Sequence, residues 1–240
     1  MKIANQLPQN SAEWLKWRVS GLGASDAPTV MGVSPFTTRF ELYLEKTGLA
    51  DRPDFHPNAI KAMARGTMME PEARACYEKK VGVKFEANVN VIHEKYDFIR
   101  ASLDGYNAEH NRIVEIKCPG KIDLAEAAKG RVPKKYLPQV QLQLLVTGAV
   151  ACDYFTYDGK DGIIVEVLPD KVYQKKLEEE MVAFWQLEQT QTPPALSLKD
   201  VVKAVGALST AVDKINKAFE SVNLAVKTFN KQVKEGEDNE

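Results

Sequence analysis

At 240 residues, 44% hydrophobic and 27% charged, the chain has enough apolar mass to bury the core of one or two domains, which excludes a wholly disordered protein. Its formal net charge of −1 excludes a uniformly basic surface, so any contact with nucleic acid has to be confined to a groove. No run reaches the ~20 apolar residues of a membrane span, residues 1–6 lack the apolar stretch of a secretion signal, and the scattered Cys76, Cys118 and Cys152 fit reduced thiols rather than a disulfide framework. The expectation is a cytoplasmic protein with no membrane partner.

Ser11 precedes a run containing Trp14 and Trp17, so a short helix capped by Ser11 and anchored by the tryptophans is expected through Arg18. Gly21 and Gly23 break it, and a second short helix starts near Ser25 and Asp26, either of which is an acceptable cap. Taken alone, Arg18 reads as a surface charge more readily than as an anion ligand. Pro35 to Thr38 opens a third helix that ends at Gly48, and 49–57 is a proline-bearing loop. Helix is expected over 58–80 with an interruption between Gly66 and Pro71, because an internal proline loses a backbone donor. Glu70 sits at that interruption, where the plain reading is a carboxylate favoured by a helix dipole.

Residues 83–93 and 97–103 read as strands, and a turn over 104–111 joins the second of them, as a hairpin, to the strand from Arg112 to Lys117. Residues 121–129 form a short helix starting at Lys121. The basic loop 130–135, with Arg131, either touches a nucleic-acid backbone or is merely solvated. On the apolar-faced helix 136–146, Gln139 and Gln143 share a side at i and i+4. Strands 151–157 and 162–168 follow, and Asp170 caps a helix to about Gln189. The fold class is α/β, a mixed sheet with helices on both faces, in one domain over 1–192.

Side chains alternate faces along a strand, so Glu115 and Lys117 share one face and Val114 and Ile116 the other. Glu-x-Lys alone is better read as a half-buried edge strand with a surface ion pair, since such triplets are common. Asp104, at the end of the preceding strand, turns the pair into a three-charge cluster. Hydrolysis of a phosphodiester uses hard oxygen ligands for Mg²⁺, which is held by one or two carboxylates and keeps several waters. Asp104 and Glu115 fit that role and the carbonyl of Ile116 offers a further ligand. Lys117 would orient the attacking water or offset charge building at phosphorus.

Gly23-Ala24-Ser25-Asp26-Ala27, Ser102-Leu103-Asp104-Gly105, Glu115-Ile116-Lys117-Cys118-Pro119 and Gln139-Val140-Gln141, within 14–169, resemble the YqaJ family of viral recombinases, to which lambda exonuclease belongs. These are restriction-endonuclease-like nucleases of the PD-(D/E)XK kind. The resemblance implies a restriction-endonuclease-like central mixed sheet. It implies a Mg²⁺-dependent enzyme, with Mn²⁺ as a possible substitute, that degrades the 5′-ended strand of double-stranded DNA. The product would be a 3′ overhang for a single-strand-annealing recombinase of a phage or prophage. It also implies metal ligation by Asp104, Glu115 and Ile116, with Glu70, in Gly66-x-x-x-Glu70-Pro71, facing the metal site. Lys117 would be the catalytic lysine, assisted by Glu70 and Gln139, and Arg18, Ser25 and Ser102 would surround the 5′-terminal phosphate. Lys121 and Arg131 are further candidates for DNA contact. Relatives of this kind imply a homo-oligomer, a toroidal trimer around DNA. A same-fold endonuclease and a non-catalytic oligomeric DNA-binding adaptor are the alternatives.

Past Thr192-Pro193-Pro194 the pattern changes. Val201, Val205, Leu208, Val212, Ile215, Phe219, Val222, Val226, Phe229 and Val233 recur at alternating spacings of four and three, a heptad that predicts a supercoiling amphipathic helix over 197–235. Its flanks, including Ala204, Ser209, Ala211, Asn216, Ala218, Asn223 and Ala225, are small or uncharged, so the usual charge code for a partner is missing. Self-association into a trimer or larger bundle, packing onto the nuclease domain, or capture of another protein's helix would each cover this face.

Overall fold

In the computed structural model, which describes residues 2–4, 7, 11–50 and 57–237, the β-branched runs form two mixed four-stranded sheets that meet at Asp104. The first has the order β1 (Lys2–Ile3), β3 (Val89–Ile92), β4 (Ile99–Leu103), β2 (Leu22–Gly23), with β2 parallel to β4. The second has the order β5 (Gly105–Asn107), β6 (Arg112–Lys117), β7 (Ala151–Tyr157), β8 (Gly162–Val167), with β6 parallel to β7. Parallel neighbours need a long crossover, and α5 (Lys121–Ala128) with α6 (Leu137–Thr147) supplies it.

Three expectations are corrected. The strand before Asp104 is not the hairpin partner of β6: the chain leaves the first sheet at Leu103 and Gly105 already pairs with Val114, so the single central sheet is two and the hairpin is β5–β6. Gly105 permits the switch, because a Cβ there would lie 2.6 Å from Val114 Cγ1 and 3.0 Å from Phe85 Cβ. The strand read over 83–93 shrinks to β3, since Asn88 takes a positive φ of 56° and only the Glu86–Tyr106 bridge precedes it. Finally, α4 (Pro57–Val81) runs unbroken through Pro71. An internal proline costs roughly 3 kcal/mol, which is offset where the next turns bury Ala73 and Tyr77 completely. Most of the loop read over 49–57 lies outside the described residues.

The second sheet is sandwiched. Ile113, Cys152 and Tyr154 pack toward α6 and α7 (Lys171–Gln189), among Val140, Leu144, Leu177 and Phe184. Val114, Ile116 and Phe155 pack on the other face against Ala73 and Tyr77 of α4. Alternation along β6 therefore sends Glu115 to the α6 side. The amino-terminal helices α1 (Ala12–Val19), α2 (Ala27–Val30) and α3 (Arg39–Thr47) begin and end where caps were expected. Trp14 N donates to Ser11 Oγ at 3.1 Å, Thr38 and Glu41 form a reciprocal capping box, and Gly48 closes α3 at a φ of 69°.

The last turn of α7 holds an uncompensated carboxyl. Glu188 is 8% exposed, its Oε1 has no hydrogen-bond partner, and burial pushes its carboxyl up to about 7 despite the opposing charge of Lys46. The folded state thus holds this proton longer than the unfolded chain, so the contribution of Glu188 to stability is fully present below pH ~4.5 and is lost as pH rises through about 7. Glu188→Gln is expected to remove that fall and to raise stability at pH 8 by up to roughly 3 kcal/mol, with little change at pH 4. Denaturant melts at the two pH values check this; parallel behaviour of variant and wild type would contradict it.

Residues 1–194 form one compact unit and residues 195–240 a second, which contains the single 40-residue helix α8 (Leu198–Glu237). The heptad side chains of α8 from Val201 to Val226 are exposed, between 46% at Val212 and 66% at Leu208. Those of Phe229 and Val233 lie outside the described residues.

Candidate active site

The three charges of the sequence cluster converge, and they are not a surface pair. Glu115 is 1% exposed, and its carboxylate receives Lys117 Nζ together with Gln139 Nε2 at 2.7 Å on Oε1, and Gln143 Nε2 at 2.6 Å on Oε2. Asp104, one residue beyond β4, accepts the backbone N–H of Ile116 at 2.8 Å through Oδ2, which ties the sheet junction to the carboxyl-terminal end of β6. Glu70 reaches the same place from α4, held by Arg74 Nη2 at 2.5 Å. The Lys117 ammonium lies 5.3 Å from the Tyr136 ring centre.

Charge crowding dominates the electrostatics. Burial, then the neighbouring Glu115, pushes the Asp104 carboxyl well above the usual range, and burial with a contribution from Glu115 raises Glu70. For Lys117 burial works against the charge, but Glu115 and Asp104 outweigh it and push its pKa up, so it stays an ammonium. Several carboxylates forced together with one ammonium make a place where a further cation is stabilised. Among the described residues no group of three or more His, Cys, Asp or Glu forms a ready-made metal cage. The donors present are hard oxygens, few in number and beside open space, which fits a metal that keeps most of its water, as Mg²⁺ does, and not zinc, which takes a closed set of N and S ligands.

Beside the carboxylates is a small cavity of about 210 Å³ whose wall carries Arg18, Ser25 and Ser102 together with Asp104, Glu115, Lys117 and Gln139. Arg18 Nη2 donates to Ser25 Oγ at 3.1 Å, Trp14 Nε1 donates to Ser102 Oγ at 3.0 Å, and the Arg18 guanidinium lies over the Trp14 ring at 5.1 Å. Ser25 is not the cap of α2; Asp26 occupies that position. Asp26 accepts the Gly23 N–H at 2.9 Å and pairs with Lys46 at 2.8 Å, so the loop that presents Ser25 is braced from below. Burial opposes the Asp26 charge, but Lys46 and Arg18 hold its carboxyl below the ordinary carboxylate range. A larger cavity, about 610 Å³, shares Asp104 and Lys117 with the first and adds Glu70, Ile116, Phe36 and Met63.

Two residues at the site were not singled out from sequence. Gln143 is 1% exposed and holds the second oxygen of Glu115; its i, i+4 relation to Gln139 was the available signal. Arg100 adds a second guanidinium to the small cavity, its Nη atoms spent on the carbonyls of Trp17, Ser20 and Asp97. Lys121 and Arg131 line neither cavity, and Arg131 gives its fork to Glu126 at 3.0 and 3.2 Å.

A family model described as the YqaJ-like viral recombinase domain matches residues 13–150. The protein YqaJ of Bacillus subtilis is 32% identical over 152 residues, 61% of this chain and 47% of its own length. Protein R354 of Acanthamoeba polyphaga mimivirus is 28% identical over 167 residues, 64% of this chain and 30% of its own. The chain thus spans less than half the length of these curated relatives. Among solved structures, an alkaline exonuclease from Laribacter hongkongensis, also solved in complex with dAMP, is 25% identical with a TM-score of 0.66, matching 82% of this chain and all of that one. A phage-related exonuclease from Haemophilus somnus, 14% identical with a TM-score of 0.55 over 71% of this chain and 94% of that one, shares the fold.

Proposed function

The chain belongs to the YqaJ-like viral recombinase family, and from that premise we propose that it is a Mg²⁺-dependent deoxyribonuclease acting on the ends of double-stranded DNA. Mn²⁺ is able to substitute. The enzyme digests the 5′-ended strand and leaves a 3′ overhang for a single-strand-annealing recombinase, as a phage or prophage protein in a bacterial cytoplasm. Its working form is a homo-oligomer, a trimer by family resemblance. The observation that carries this reading is one cavity lined both by an anion-binding set, Arg18, Ser25 and Ser102, and by a hydrolytic set, Asp104, Glu115 and Lys117. A site that grips a terminal phosphate beside its hydrolytic groups measures from an end.

Asp104, Glu115 and the Ile116 carbonyl would hold the metal, with Glu70 contributing, and a divalent cation bound by them would supply Lewis acidity toward water and positive charge to offset that of the scissile phosphate. Lys117, fixed between Glu115 and the Tyr136 ring, orients the attacking water and balances the same charge. Gln139 and Gln143 clamp Glu115 so that its carboxylate cannot turn away, an outer-layer role that keeps ligand geometry. Arg18 and Ser25 present a guanidinium and a hydroxyl to the terminal phosphate, a charge-assisted pairing. Lys121 and Arg131 contact backbone phosphates farther along the duplex, Arg131 exchanging its Glu126 pair for them.

Linear duplexes ending in 5′ phosphate or 5′ hydroxyl test the pocket. Wild type is expected to prefer the phosphate roughly tenfold or more, the worth of one charge-assisted hydrogen bond. Arg18→Ala and Ser25→Ala should lose that preference while still cutting hydroxyl ends; equal loss on both ends would remove the pocket from the account. With the strands labelled at their 3′ ends, single strands should keep the label, and its early release would reverse the polarity.

A further inference from the structure

We propose that Lys46 is a positioning residue that sets the preference for a phosphorylated end by fixing Arg18 and Ser25 relative to each other. The proposal rests on the reading of those two residues as ligands of a terminal phosphate. Arg18 stands on the last turn of α1 and Ser25 on the turn after β2. No single helix or strand carries both, yet their side chains meet at 3.1 Å. The end of a helix leaves its last carbonyls without partners inside the helix, and here two buried cations take them up. Arg100, from β4, donates to the carbonyl of Trp17 and, at 3.0 Å, to that of Ser20. Lys46, from α3, donates to the Gly21 carbonyl at 2.8 Å and to the Arg18 carbonyl at 3.5 Å. The helix dipole favours a cation at this end.

Lys46 joins the two sides. The same ammonium pairs with Asp26 at 2.8 Å, and Asp26 accepts the Gly23 N–H at 2.9 Å, so the turn that holds Ser25 and the backbone of Arg18 share one point of attachment. That point is nearly dry, the Lys46 side chain being 6% exposed and that of Asp26 10%. Gly21 lets the chain run close over it, because a Cβ there would lie 2.5 Å from both the Phe98 carbonyl oxygen and Arg100 Nε. A buried ion pair is a poor source of stability, since apolar side chains of similar volume often serve as well. What it does supply is geometry. An ammonium has three donors, and three acceptors surround this one, on Asp26, Gly21 and Arg18. An apolar side chain in its place would fill the volume and leave the spacing of Arg18 and Ser25 free to vary. Lys46 lines neither cavity, so its influence on a phosphate passes through those two residues.

The ratio of digestion rates on linear duplexes with 5′-phosphate and 5′-hydroxyl ends, taken with Mg²⁺ on one preparation of the full chain, tests this, because the folded fraction cancels in the ratio. Lys46→Met is expected to cut the ratio roughly fivefold, the worth of a lost hydrogen bond. Lys46→Met combined with Asp26→Asn leaves no buried carboxylate without its cation, keeps an oxygen for the Gly23 N–H, and should cut the ratio as far. In a background of Arg18→Ala with Ser25→Ala, Lys46→Met should change the ratio no further, since the residues it acts through are gone. An unchanged ratio in both Lys46 variants, equal slowing on the two kinds of end, or a further fall in that background would each overturn the proposal. A ratio that Arg18→Ala leaves intact removes the phosphate reading and this proposal with it. A ratio lost in Arg18→Ala and kept in both Lys46 variants overturns this proposal alone.

Discussion

Asp104→Asn is expected to reduce metal-dependent digestion by ~10³-fold or more and, in metal-free buffer at pH 8, to raise the melting temperature by a few degrees. Both effects have one cause. The folded protein forces the Asp104 carboxylate against Glu115 and Glu70 in a partly dry site, which costs stability and prepares a place for a cation. Asparagine keeps an oxygen to accept the Ile116 N–H and removes the charge, so repulsion is relieved and the metal loses a ligand. Losing one preorganised electrostatic contributor typically costs 10²–10³ in rate, and here the site loses both a ligand and part of its cation affinity. Calorimetric melts with and without Mg²⁺ check the stability half: wild type should gain stability from the metal and the variant should gain little. A variant that is less stable than wild type without metal would show that the cluster is a structural ion pair.

Lys117→Ala is the second large effect, and its stability change has the opposite sign. The ammonium is the cation paired with a carboxylate whose side chain is only 2% exposed. Removing one partner of a buried pair costs roughly 3–5 kcal/mol, reduced here because Gln139 and Gln143 still donate to Glu115. A loss of about 2 kcal/mol and a fall in digestion rate of ~10³-fold are expected. Assays well below the melting temperature of the variant separate the two. Full nuclease activity in a folded Lys117→Ala protein would contradict the proposed mechanism.

Periodicity and capping made much of the fold legible. Runs of β-branched and aromatic residues bounded by turns mark β6 to β8, and Ser11, Thr38, Gly48 and Asp170 mark the ends of α1, α3 and α7 because each satisfies backbone groups locally. What failed depends on distant partners. Asp104-Gly105 carries a strong turn signal, yet the residues after it pair with β6, a choice made by the close approach of Gly105 to Val114. Pro71 signals a break, and the buried Ala73 and Tyr77 override it. At the site, the resemblance supplied residues whose convergence no local pattern fixes: Arg18 and Ser102 are far apart in sequence and line one small cavity. Gln143 was missed because an amide reads as exposed until the carboxylate it holds is known to be buried. The Asp26–Lys46 pair beneath Ser25 left no sequence signal at all, being made by two elements with no periodic relation.

The central claim is that this site hydrolyses DNA from an end with a divalent metal. Its most direct test is digestion of a linear duplex carrying 5′ phosphates, beside a covalently closed circle of the same DNA, with Mg²⁺ and with chelator. The account predicts loss of the linear duplex only, and only with Mg²⁺. Cleavage of the circle, or no cleavage of either substrate by a folded, metal-loaded protein, would contradict it.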